Sequence, residues 1–152
     1  MCGDRMGSRR KSSVRFSLQN VRGLTDEKLE ETVRNMQSHG VMARCLMETW
    51  REGDNVLDLH GFAVIQHGLP TRVCNRGSQG VAIVLSPAGR KAWEAAGCEI
   101  MHFGSRVLAV RLEFVDDRGR PLCVVLASGN APVGAAPEQE RADYRMCGCV
   151  CV

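Results

Sequence analysis

Residues 14–49, "VRFSLQNVRGLTDEKLEETVRNMQSHGVMARCLMET", hold three elements in a row, and their reading decides the fold. Val14, Phe16 and Leu18 alternate with polar residues, which predicts a half-buried strand over residues 14–21. Thr25 has the chemistry of a helix N-cap, and Asp26 and Glu27 place negative charge at the positive end of the helix dipole. Leu24 and Leu29 have the spacing of a hydrophobic staple. Leu29, Val33 and Met36 share one face, and Gly40 supplies the left-handed residue that ends a helix. A second apolar run follows at once over residues 41–49. Strand, helix and strand at this spacing make a βαβ unit, whose strands pair in parallel through a right-handed crossover.

Beyond this unit the pattern turns antiparallel. Residues 62–66 read as a short strand, and "VAIVL" at 81–85 is apolar at every position, as in a strand covered on both faces. "SPAG" stops it, and "RKAWEAAG" gives a short helix ending at Gly97, with Trp93 packed on the sheet. Leu108, Val110, Leu112 and Phe114 alternate inward against Ala109, Arg111 and Glu113. "VDDRGRP" then turns the chain into "LCVVLAS", a hairpin. Helix-forming composition resumes at Pro137. The order β, α, β, β, β, α, β, β, α predicts an α/β chain of the α+β sandwich type, with a mixed sheet and flanking helices. Residues 1–13 read as a flexible basic arm, 14–144 as the domain and 145–152 as a cysteine-rich tail.

Composition excludes several classes. With 152 residues, 44% hydrophobic and 24% charged, the chain is long enough for one domain with a core. A net charge of +3 is ordinary surface charge and does not argue for nucleic acid by itself. No apolar run reaches the roughly 18 residues that a membrane span needs, and the basic arm is not a secretory signal. An intracellular protein, nuclear or cytoplasmic, with reduced thiols is the expectation. Cys45 and Cys123 lie in apolar runs, where a thiol behaves as a small hydrophobe. Cys147, Cys149 and Cys151 offer soft ligands at C-x-C spacing and the outline of a lipidation box. Zinc knuckles want wider spacing and four ligands, so the tail is read as carrying no selected chemistry.

No phosphate-binding glycine loop, nucleophile elbow, H-E-x-x-H or paired C-x-x-C occurs. His39, His60, His67 and His102 are scattered and read as surface or capping residues. Asp116 and Asp117 read as turn residues. What remains is Asn20 and Glu48, each at the C-terminal end of one of the two crossover strands, the edge where ligands gather in α/β sheets. A carboxylate beside an amide can hold Mg²⁺ and orient a phosphate oxygen.

The succession "QNVRGL", amphipathic helix, "CLMETW", "GSQGVAIVLSPAGRKAWEAAG", "RVLAVRLEF", "LCVVLASGNAP" resembles the N-terminal half of an endonuclease/exonuclease/phosphatase domain. It is most similar to the retrotransposon-type endonucleases, including the craniofacial development protein 2-like proteins. The resemblance implies a four-layer α/β/β/α fold and Mg²⁺-dependent hydrolysis of DNA or another phosphodiester. It implies that Glu48, in the "MET" that stands for the family's "Q-E-T", binds the metal, and that Asn20 contacts the metal or the phosphate. Asn130 stands where the family has the tyrosine that positions the phosphate, before Ala131-Pro132.

The family's "G-D-x-N" and Ser-Asp-His motifs are absent from this sequence. The expectation is therefore a truncated domain, inactive alone and a weak ligand for Mg²⁺. The alternative is a non-catalytic half-domain or gene fragment that binds a partner, either a C-terminal half or a second copy, through its open sheet. Val81 and Val124 are expected on that open inner face, and Arg44 is expected as a misplaced charge within the second strand.

Overall fold

The computed structural model describes residues 13–69, 80–104 and 106–131. The elements are β1 (Phe16–Asn20), α1 (Asp26–His39), β2 (Ala43–Met47), β3 (Asn55–Leu59), β4 (Phe62–His67), β5 (Val81–Leu85), α2 (Pro87–Ala95), β6 (Ile100–Phe103), β7 (Val107–Val115) and β8 (Pro121–Gly129). They form a five-stranded sheet in the order β1-β2-β5-β4-β3 and a three-stranded sheet in the order β6-β7-β8. β1 and β2 pair in parallel around α1, while every other neighbouring pair is antiparallel. Among the described residues the fold is thus α/β, with a mixed sheet and two helices.

Helix α1 is capped as its sequence dictates. Thr25 Oγ1 accepts the Lys28 N–H, and Gly40 at φ 62° returns its N–H to the last turn. Leu29, Val33 and Met36 bury against Leu46, Phe62, Val64, Ala82 and Val84 on one face of the large sheet. The opposite face presents Ala43, Cys45, Ala63, Ile65, Val81, Ile83 and Leu85, which pack on Leu108, Val110 and Leu112 of the small sheet. Period-two alternation along β5 therefore serves two cores at once, and all five of its residues are buried. The sheets are tied where Ser128 Oγ donates to the Leu46 carbonyl at 2.9 Å.

Several expectations change. The inner face of the large sheet is covered: Val81 is fully buried under the small sheet, and Val124 is half-buried. The uncovered parts are the edge strands: on β3 Val56 is 48% exposed, and on β1 Phe16 and Leu18 are 41% and 64% exposed. The alternation there marks the correct strand, but the small sheet does not reach out to it. Arg44 is not a stray charge. Its guanidinium donates to Ser17 Oγ, Gln19 Oε1 and Asn35 Oδ1 on the helix side of the sheet, while partial burial lowers its pKa.

Two strands were not foreseen, β3 and β6. Helix α2 begins earlier than expected, with Ser86 as N-cap and Pro87 in the first turn. Cys123 is exposed, as is Leu122 beside it, so the apolar run does not bury the thiol. Asp116 makes the turn, accepting the N–H groups of Arg118 and Arg120. The basic arm up to residue 12, the helix expected from Pro137 and the cysteine tail lie outside the described residues. Among the described residues no helix is long and apolar enough to cross a membrane.

Candidate functional site

Sheet topology gathers the polar residues at one edge. β1, β2 and β4 end there and β3 and β5 begin there, so Asn20, Glu48, His67 and Asp54 lie along the same rim. β8 reaches the same rim from the second sheet. Cys45 Sγ donates to Ala127 O and Ser128 Oγ to Leu46 O, so β2 and β8 advance together toward Glu48 and Asn130.

At the first station Asn20 Nδ2 donates to Glu48 Oε1 at 2.8 Å. Asn20 Oδ1 accepts the Arg22 N–H at 3.2 Å, which fixes the amide with its donor toward the carboxylate. Glu48 leaves the strand in a left-handed conformation, φ 54°. Such a backbone is uncommon for a residue with a side chain, and its surroundings must hold it. They do so through the main chain. Gly23 N–H donates to Glu48 O at 2.7 Å, Leu24 N–H to Thr49 O, and Thr49 N–H to Gly80 O. Arg51 then donates to the Leu24 carbonyl and pairs with Asp26 at the start of α1. Lys28 Nζ donates to the Val21 and Gly23 carbonyls. The acid is thus held by a bend clamped on both sides, with Oε2 unpartnered among the described residues.

Asn20 and Glu48 are therefore brought together as their strand-end positions suggested. Asn130 is not joined to them by any hydrogen bond among the described residues. It lies just past β8, 8% exposed, with its N–H on Arg106 O and its Nδ2 without a partner among the described residues.

The second station was missed. His67 and His102 stack with ring centroids 4.4 Å apart and an interplanar angle of 17°. His67 Nδ1 contacts Asp54 Oδ1, and His102 Nδ1 lies 3.7 Å from Asp54 Oδ2. One ligand atom from each of the three lies within 4.8 Å of the others. His67 continues the inward alternation of Ala63 and Ile65, and His102 that of Ile100. That alternation was the available signal, but β6 had to be recognised for His102 to be placed. His39 and His60 keep the plain roles expected of them, beside the Asn35 carbonyl and Glu30 respectively.

No protein-family model matches the chain, and no curated protein matches it.

Proposed function

We propose that the chain carries the metal-binding half of a phosphodiester hydrolase site of the endonuclease/exonuclease/phosphatase kind, with the four-layer α/β/β/α architecture that kind implies. The observation that carries the reading is the Asn20–Glu48 hydrogen bond at the ends of two parallel strands joined by a helical crossover. Glu48 fits Mg²⁺ in chemistry, since it offers a hard carboxylate oxygen with no partner among the described residues, and an ion that keeps most of its waters needs only one or two such ligands. When bound, the ion would polarise a phosphate oxygen.

The protein's own part is positioning. Asn20 donates to one carboxylate oxygen and so turns the other outward, and the clamped main chain keeps Glu48 from relaxing into the strand. Asn130, with an amide donor to spare, lies toward the same rim. Neither "G-D-x-N" nor Ser-Asp-His occurs in the sequence, and His67 is no substitute base, because both its ring nitrogens already face oxygen atoms. Each absent acid–base group lowers the rate by about 10²–10⁴-fold, so the reading is a site that binds metal and phosphodiester and turns over very slowly by itself.

The test is Mg²⁺-dependent binding of a short DNA duplex, followed by fluorescence anisotropy. The wild-type chain should gain affinity on adding Mg²⁺ and the Glu48→Ala variant should not. A gain equal in both proteins, or in neither, would count against the reading.

The second reading, a non-catalytic half-domain that docks a partner, draws on the apolar face of edge strand β1, where Phe16 and Leu18 stand exposed. It predicts association that Leu18→Lys abolishes, measured by sedimentation.

A further inference from the structure

We propose that Asp54, His67 and His102 form a separate divalent-metal site of the zinc class, in the mouth between the two sheets. His67 and His102 occupy the last inward-facing positions of β4 and β6, one from each sheet, and Asp54 approaches from the start of β3. This station lies two strands from Glu48 across the rim, roughly 10 Å at ordinary strand spacing, so it is not the same site.

The hydrogen bonds around His67 carry the inference. Its Nε2 lies 3.2 Å from the carbonyl oxygen of Gly104. A carbonyl only accepts, so Nε2 bears the ring hydrogen. In the neutral ring the Nδ1 lone pair then points at the Asp54 carboxylate, which also bears lone pairs and a negative charge. His102 aims its own Nδ1 at the second oxygen of the same carboxylate. Two imidazole nitrogens thus flank one carboxylate, each beside its own oxygen, and a cation shared by the three groups would offset the negative charge. A proton on His67 Nδ1, or the Nδ1–H tautomer of His102, satisfies one nitrogen at a time, whereas a metal ion serves both and the carboxylate together.

The geometry fits the ion. A tetrahedral centre with bonds of about 2.0–2.1 Å keeps its ligand atoms about 3.3 Å apart. The ligand atoms lie within 4.8 Å of one another, and closure on the ion needs side-chain rotations that turn the stacked imidazole planes apart, so that both in-plane lone pairs reach it. The Gly104 carbonyl already supplies the outer-shell acceptor that orients a metal-bound histidine. Imidazole ligands select zinc-like ions over Mg²⁺. Two histidines and one carboxylate leave a fourth position for water or a phosphate oxygen, as in open zinc sites. His67 is largely shielded, its side chain 11% exposed, while Asp54 and His102 leave the ion a way in at 55% and 37%.

The experiment is a titration of the metal-free chain with Zn²⁺ by calorimetry and with Co²⁺ by visible absorption. Wild type, His102→Ala, Asp54→Asn and Glu48→Gln are compared, all with the same cysteines. Wild type and Glu48→Gln should bind one more equivalent than the other two, with a cobalt spectrum lacking thiolate charge transfer. Removing His102 or Asp54 should weaken that equivalent by about a hundredfold or more, since outer-shell partners alone are worth about 10–100-fold. Asp54→Asn, nearly isosteric and at an exposed residue, guards against misfolding of the histidine variant. Equal stoichiometry and affinity across all four proteins would overturn the proposal and leave a proton-bridged carboxylate–imidazole cluster.

Discussion

The indole of Trp50 lies directly over Gly23, so that a Cβ added to that glycine would stand 2.7 Å from Trp50 Cε3. Gly23 itself is at φ 90°, a conformation that side chains rarely adopt. The two residues flank Glu48: one donates its N–H to the Glu48 carbonyl, and the other follows two positions later. Close packing of glycine and indole thus fixes the bend that presents the acid. Gly23→Ala should cost about 1–3 kcal/mol, the usual range for imposed backbone strain. Urea denaturation measures the loss, and a change in Trp50 fluorescence in the folded variant would show that the bend had moved.

Asn20 holds Glu48 by one hydrogen bond and takes its own orientation from Arg22. Asn20→Ala should therefore weaken Mg²⁺ binding by about tenfold, as for an outer-shell partner, and leave the melting temperature nearly unchanged because the position is exposed. Calorimetry with Mg²⁺ on the variant checks both. Loss as complete as in Glu48→Gln would make Asn20 a direct ligand instead.

Contact between the sheets depends on apolar packing more than on the polar tie from Ser128. Leu112→Ala, at a fully buried position beneath β5, should cost about 2–5 kcal/mol. Ser128→Ala leaves the Leu46 carbonyl without its side-chain donor in a buried place, at about 1–3 kcal/mol. Equilibrium unfolding of both variants gives the ranking, with the leucine variant the less stable.

Two carboxylates give the fold an acid-sensitive component. Asp58 is lowered by its hydrogen bond from Arg90 and then by the Gly61 N–H, and Asp116 by the Arg120 N–H and then by the Arg120 side chain. A carboxylate whose folded pKa is depressed stabilises the fold above its unfolded value. That contribution disappears as the pH falls from about 4 through the lower folded value. Thermal melts at pH 7 and pH 3 should differ more for wild type than for the Asp58→Asn, Asp116→Asn double variant. An equal acid drop in both proteins would assign it to other groups.

Much of the architecture was legible because local signals agreed with the tertiary context. Thr25, the Leu29–Met36 stripe and Gly40 dictate α1, and the uninterrupted apolar run from Val81 to Leu85 announces a strand with two covered faces. β3 was missed because Asn55 and Asp58 interrupt its apolar pattern. Its turn is also built by His60 and Gly61 at φ 53° and 85°, a primed turn without the usual Asn-Gly or Asp-Gly pair. β6 was missed because only four residues, straight after a helix, show any alternation. The Asn20–Glu48 pair followed from position at strand ends, which a βαβ unit makes predictable. Asp54, His67 and His102 could not be joined in the same way. They come from three elements on two sheets, and no spacing in the chain encodes how those sheets face each other.

The most direct test of the central claim is a Mg²⁺ titration of the ¹⁵N-labelled chain by heteronuclear NMR, beside Glu48→Gln. The account predicts saturable shifts of the Asn20 side-chain amide and of the main-chain amides from Glu48 to Arg51, absent from the variant. Shifts that persist in Glu48→Gln, or that leave these groups untouched in the wild type, would contradict it.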